Sequence, residues 1–266
     1  MRTFPSILFY LAASALILSG AVFNQSYSSE IWIALSVICT IGTYIIYNLN
    51  SIMKQTGVLN YQSAQQGIDK YFTGLGVLIC ISIAIKYLNN FQWVCLFVIA
   101  IMGIAYSYKW NPQSKNPFML KKVFFIKNLI IGIGWGLLVL VGYGNLEMEI
   151  VNWVTVFASL QVIVGSIMRD VKDKERDILL GYKTLPVVLG IPQTIWICHL
   201  INLTSITPFL LLSPATLSLY LGVIILWRSA ILEGVRIKGS NNLFTQKLNL
   251  ISCVLILIMI SLHEFY

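Results

Sequence analysis

Residues 169–190 read RDVKDKERDILLGYKTLPVVLG and follow directly on a long apolar run. Asp170, Asp173 and Asp177 are spaced by three and then four residues. On a helix of 3.6 residues per turn they fall within about 60° of one face. A carboxylate cluster at the end of an apolar span is costly unless a cation makes use of it. Arg169, Lys172, Lys174, Arg176 and Lys183 are interleaved with the acids, so opposite charges alternate within two turns. Mg2+ prefers hard oxygen ligands and is commonly shared between one or two carboxylates and substrate phosphates. The pattern therefore points to a divalent metal beside a phosphorylated ligand. The plain alternative is an exposed helical extension with neighbouring salt bridges, such as Glu175 beside Arg169 and Lys172 would form. Three Asp, all poor helix formers, on one face speak against it.

The rest of the chain supplies a bilayer setting. Of its 266 residues 58% are hydrophobic and only 11% charged, and the mean hydropathy is +0.81. A soluble domain carries roughly 25% charged residues. Apolar runs long enough to span, about 17–25 residues, occur at 4–22, 31–50, 71–88, 92–108, 126–143, 150–168, 191–211, 214–232 and 248–263. These predict about nine transmembrane helices in one polytopic domain over residues 1–266. Long runs of Leu and Ile without strict alternation favour helices over barrel strands. Pro208 and Pro214 mark a tight connection between the seventh and eighth runs, where an eight-span division is the alternative.

Charge orients the bundle. The loops after the second, fourth, sixth and eighth spans are basic, with Lys54 and Lys70, then Lys109 to Lys127, then Arg169 to Lys183, then Arg228 to Lys247. With Arg2, 17 of the 18 Lys and Arg residues fall on one side, and only Lys86 lies towards the other, where Glu30, Glu147, Glu149 and Glu264 collect. The positive-inside rule puts the N-terminus in the cytoplasm and the C-terminus outside. The net charge of +8 thus reflects topology, no nucleic-acid partner is expected, and the basic face attracts anionic headgroups or an anionic substrate. No charged residue is expected deep inside a span.

The N-terminus, Arg2 followed by an apolar stretch ending near Ser19–Ala21, has the look of a signal peptide. A retained first span fits the charge pattern better. Cys39, Cys80, Cys95, Cys198 and Cys253 form no C-x-x-C pair and read as small core residues. His199 and His263 are far apart, and no metal role is expected of them.

Other loops hold polar residues beyond what a simple connector needs. Asn48, Asn50, Ser51 and Lys54 stand at the mouth of the first, and Tyr106, Tyr108, Lys109, Lys121, Lys122, Lys127 and Asn128 in the second. Positive-inside bias and interfacial aromatics explain most of the latter set without any further role. The fourth basic loop, RIKGSNNLFTQK, has nothing at metal-ligand spacing. The aromatic residues, 12% of the chain, receive no individual roles.

Taken together, the chain resembles the UbiA superfamily of intramembrane prenyltransferases. The likeness is strongest in the pattern D-x-x-D-x-x-x-D-x-x-x-G-x-K-T-L-P, met by Asp170, Asp173, Asp177, Gly181 and Lys183-Thr184-Leu185-Pro186, with Gly190 continuing it. Weaker likeness covers Ala105-Tyr106-Ser107, Leu120-Lys121-Lys122 and the stretch from Asn128 to Gly136. The resemblance implies an all-α bundle around a central cavity, with Asp-rich motifs on cytoplasmic loops after the second and sixth spans. It implies Mg2+ held by Asp170, Asp173 and Asp177, an isoprenyl diphosphate donor contacted by Lys183, Lys121 and Lys122, and Asn48 orienting it. It also implies transfer of the prenyl group to a lipophilic or aromatic acceptor within the bilayer, in a bacterial or archaeal cell membrane.

One departure is plain. The family's first motif, roughly N-D-x-x-D-x-x-x-D, is absent here. Asn48 keeps the leading Asn, but Ile52 and Thr56 stand where aspartates are expected, and no carboxylate occurs between Glu30 and Asp69. A single metal on Asp173 and Asp177, supported by Asp170, with Lys54 in direct phosphate contact, would offset part of that loss. The missing motif also leaves open a non-catalytic lipid-phosphate-binding or partner protein, and a related terpene cyclase. A transporter fits poorly, since no broken spans recur in matching halves.

Overall fold

The computed structural model describes residues 7–24, 27–54, 63–108, 120, 123–212 and 215–238. Among these residues the protein is helical, without a strand. Its elements are α1 (Ile7–Val22), α2 (Ser29–Lys54), α3 (Ser63–Tyr87), α4 (Asn90–Ser107), α5 (Ile126–Tyr143), α6 (Glu149–Lys172), α7 (Lys174–Leu179), α8 (Leu185–Val188), α9 (Ile191–Thr204), α10 (Thr207–Leu212) and α11 (Ala215–Lys238). Helices cover the first eight apolar runs, and the seventh is broken at Ser205–Ile206, just before Pro208, into α9 and α10. The expected span at 248–263 lies outside the described residues.

Two helices, α5 and α6, combine the length and apolarity to cross a membrane, and shorter apolar stretches run over Ser29–Ile45, Tyr71–Tyr87 and Asn90–Tyr106. The outward faces are apolar as well: Ile85, Phe97, Trp196, Leu200 and Leu226 are each more than 60% exposed. Large apolar side chains exposed to that degree on α3, α4, α9 and α11 suit contact with lipid.

The bundle is organised around α5, which lies against α6 on one face and α1 on another. Glycine makes both contacts possible. A Cβ added at Gly142 would stand 1.9 Å from the Ile17 carbonyl oxygen, and one at Gly20 would stand 1.9 Å from that of Val139. Towards α6, a Cβ on Gly136 would meet Ser159 Oγ at 1.9 Å, and one on Gly132 would meet Ile163 Cγ1 at 2.3 Å. In lipid, where no hydrophobic force drives helices together, small residues at such crossings let backbones approach and gain dispersion and polar contacts.

The far end of α5 is satisfied by side chains from distant segments. Asn24 Nδ2 and Tyr27 Oη donate to the Tyr143 carbonyl at 2.8 and 3.0 Å, Gln92 Nε2 to that of Val141 at 2.6 Å, and Asn89 Nδ2 to that of Gly144 at 2.8 Å. Terminal carbonyls of a helix have no intrahelical donor, and these four bonds supply two to Tyr143 and one each to Val141 and Gly144. A second core cluster (Ile163, Val164, Ile167, Leu185, Ile195, Leu232) holds α6, α8, α9 and α11 together.

Here the structure corrects the charge reading. Arg228, assigned to a basic loop, is 1% exposed within α11 and donates from its guanidinium to the Gln161 carbonyl at 2.8 Å. Gln161 Nε2 in turn donates to Asn202 Oδ1 and Ser205 Oγ, and Asn202 Nδ2 to the Ile225 carbonyl and Ser229 Oγ. A charge does therefore lie deep in a helix. The Gln161 carbonyl replaces part of its hydration, beside a polar network that joins α6, α9 and α11.

Candidate functional site

The Asp-rich segment is divided between two helices. α6 ends at Lys172, and Asp173, at φ −89° and ψ 9°, is the joint from which α7 departs. Its N–H still donates to the Arg169 carbonyl at 3.0 Å, while its own carbonyl accepts from Asp177 N at 2.8 Å. Asp favours such joints because its short polar side chain competes with helical backbone bonding. The three carboxylates consequently belong to three local environments.

Asp177 is fixed by the turn that follows it. Gly181 has φ +68°, the left-handed conformation that costs other residues about 1–2 kcal/mol. It lets Tyr182 N reach the Asp177 carbonyl at 2.8 Å and Gly181 N reach that of Ile178 at 3.0 Å, a Schellman closure of α7. The Asp177 side chain is 5% exposed, and its Oδ2 has no hydrogen-bond partner among the described residues. The Thr184 hydroxyl, 4% exposed, is in the same condition. Thr184 was legible only as part of K-T-L-P, without a role. Burial pushes the Tyr182 phenol above its ordinary value, the charge of Asp177 adds to that shift, and Arg176 opposes it.

Asp170 differs. It is 2% exposed, and Lys127 from the first turn of α5 forms an ion pair with its Oδ1. Asn128 Nδ2 donates to its Oδ2 at 3.1 Å and also to Ser166 Oγ at 3.0 Å. Asp170 stands close enough to Asp177 for the carboxylates to repel. Lys183 is exposed and Asp173 half-buried. Asn48 and Lys54 lie on α2, but their side chains are outside the described structure, as are Lys121 and Lys122 altogether. His199, of which no metal role was expected, meets Glu233 at 3.0 Å.

Among the described residues no three His, Cys, Asp or Glu side chains gather as a ready metal-holding group. The donor set nevertheless fits a divalent cation at Asp177 and Asp173. A buried carboxylate oxygen without a donor is costly, and a cation is what would relieve it. Mg2+ needs only one or two such ligands when phosphates complete its shell.

Comparison with known proteins decides the family. The sequence model of the UbiA prenyltransferase family matches residues 70–251. The chain belongs to the UbiA prenyltransferase family. Solved structures of UbiA homologues share its fold. One from Archaeoglobus fulgidus, bound to GPP and Mg2+, superposes with a TM-score of 0.74 at 14% identity, covering 97% of this chain and 95% of that one. An apo homologue from Aeropyrum pernix K1 gives a TM-score of 0.74 at 14% identity over 97% and 98%. A digeranylgeranylglyceryl phosphate synthase gives 0.67 at 14% identity over 96% and 92%. No curated protein sequence matches. This UbiA chain thus has the family's fold at low identity, and its Asp-rich segment, α7, α8 and the closing Gly181 turn all lie inside the matched residues.

Proposed function

We propose that this UbiA protein is an integral membrane prenyltransferase that takes an isoprenyl diphosphate and passes its prenyl group to a lipophilic or aromatic acceptor. The observation that carries the reading is Asp177, a nearly buried carboxylate with an unsatisfied oxygen, fixed by the Gly181 turn on the family's own motif. Support comes also from relatives of the same fold whose structures hold GPP or DMAPP with Mg2+.

Asp173 and Asp177 would hold Mg2+, which would supply Lewis-acid charge at the diphosphate oxygens. Lys183, Lys121 and Lys122 contact the diphosphate, Asn48 orients it, and Lys54 adds a phosphate contact where the first motif is missing. The allylic C–O bond breaks with its electrons leaving on diphosphate, and the acceptor forms the new C–C or C–O bond and loses a proton. The apolar bundle houses the prenyl tail and excludes water. The chain is read as one nine-span domain with the N-terminus cytoplasmic and the C-terminus outside, in a bacterial or archaeal cell membrane. That topology rests on the distribution of Lys and Arg.

The test is diphosphate release from a series of isoprenyl diphosphates by the purified protein, with candidate acceptors, with and without Mg2+. Release that requires Mg2+ and vanishes in an Asp173→Asn/Asp177→Asn variant is expected. Donor binding without turnover across lipophilic and aromatic acceptors would instead assign a lipid-phosphate-binding role. Release without any added acceptor, giving a cyclic hydrocarbon, would assign a cyclase.

A further inference from the structure

The start of α5 is built against the usual preferences of a helix. A lysine in the first turn opposes the helix dipole. The preceding residue, Phe125, has φ +60° and provides no side-chain cap, and it is the non-glycine residue with positive φ among those described. Backbone strain of this kind persists where the surroundings over-determine it. What the entry achieves is the delivery of Lys127 and Asn128 together onto Asp170. The Lys127 side chain is 14% exposed and that of Asp170 is 2% exposed, so the pair is largely shielded from water.

The consequence is a division of labour among the three carboxylates. Each oxygen of Asp170 has a donor, Lys127 or Asn128, whereas Asp177 Oδ2 is buried and unsatisfied among the described residues. Residues 31–68, where the family's first motif would fall, offer no carboxylate to a second divalent ion.

We propose that Lys127 is a positioning residue that pairs with Asp170 and holds it out of the metal-ligand set, so that the donor diphosphate is bound with one cation, on Asp173 and Asp177. This rests on the diphosphate-binding reading above and specifies which carboxylates of that site take the metal.

The experiment counts Mn2+ by electron paramagnetic resonance in the full-length protein, titrated in the presence of a non-cleavable isoprenyl thiodiphosphate whose binding is measured in parallel. Wild type is expected to bind one Mn2+ per chain together with the analogue. Lys127→Met is expected to weaken analogue binding by about tenfold, because the Asp170 carboxylate is then left unpaired beside the diphosphate site. It should also admit a second Mn2+, since Asp170 is then released. Lys127→Arg, which keeps the cation, should remain at one. Two Mn2+ in wild type with normal analogue binding would overturn the role of Lys127 while leaving the diphosphate site standing, and so would an unchanged count and affinity in Lys127→Met. Failure of wild type to bind the analogue at any Mn2+ concentration would overturn the site itself and the role of Lys127 with it.

Discussion

Replacement of Asp177 by Asn is expected to lower Mg2+-dependent diphosphate release by about a hundred- to a thousandfold, the range seen when one electrostatic contributor is removed from a pre-organised site. The substitution conserves size and leaves the main-chain bonds from Asp177 N to Asp173 and from Tyr182 N to Asp177 intact. It removes charge from a side chain that is 5% exposed and lacks a partner on Oδ2. The metal-free protein should therefore be at least as stable as wild type, because an unsatisfied buried carboxylate is a liability without its cation. A spectroscopic mark accompanies the loss. The negative charge of Asp177 helps to hold the Tyr182 phenol above its ordinary value, so Asn at that position should move the tyrosinate transition to lower pH. Near-normal release by Asp177→Asn, with the Tyr182 transition shifted as expected, would remove Asp177 from the chemistry.

The second large effect concerns assembly. Leu at Gly142 should prevent the native packing of α1 on α5, because its Cβ alone would lie 1.9 Å from the Ile17 carbonyl oxygen and 2.9 Å from Ala21 N. Those atoms belong to the main chain and cannot swing aside. The helices would have to separate, losing contacts along their length, at a cost of about 3 kcal/mol or more. Gly134 on the same helix provides the control, since a Cβ there meets nothing within 4 Å among the described residues. Thermal unfolding in detergent should distinguish the two variants clearly. Equal behaviour of Gly134→Leu and Gly142→Leu would show that close approach of the backbones is not what holds α1 and α5 together.

Much of this was legible in the sequence because it depends on local pattern. Apolar runs located the described helices, although α3 begins well ahead of its run, α11 outlasts its own and the seventh run divides into α9 and α10. The order of Asp170, Asp173 and Asp177 marks the segment where α6 gives way to α7. What was not legible depends on partners far along the chain. The spacing of the aspartates suggested one shared face, yet Lys127 and Asn128, more than forty residues earlier, draw Asp170 into a separate pairing. Arg228 looked like one more cytoplasmic cation because nothing local reveals that Gln161 and Asn202 form a polar pocket around its helix. The glycines of α5 did carry a signal. Gly132 and Gly136 stand four apart in an apolar helix, a spacing associated with close crossings, but only the packed bundle shows which neighbour each of them admits.

Those glycines also make the mechanical compliance of the bundle uneven. Where α1, α5 and α6 meet, main-chain atoms press on main-chain atoms or on short, fixed side chains, so even small sliding motions collide. The contact of α3 with α2 is of another kind: a Cβ on Gly76 would meet the branched tips of Ile41 and Ile45, and one on Gly42 or Gly74 would meet nothing within 4 Å among the described residues. Side chains can change rotamer where backbones cannot yield. Among the described helices the bundle is therefore stiff along the α1–α5–α6 wall and more yielding where α3 meets α2.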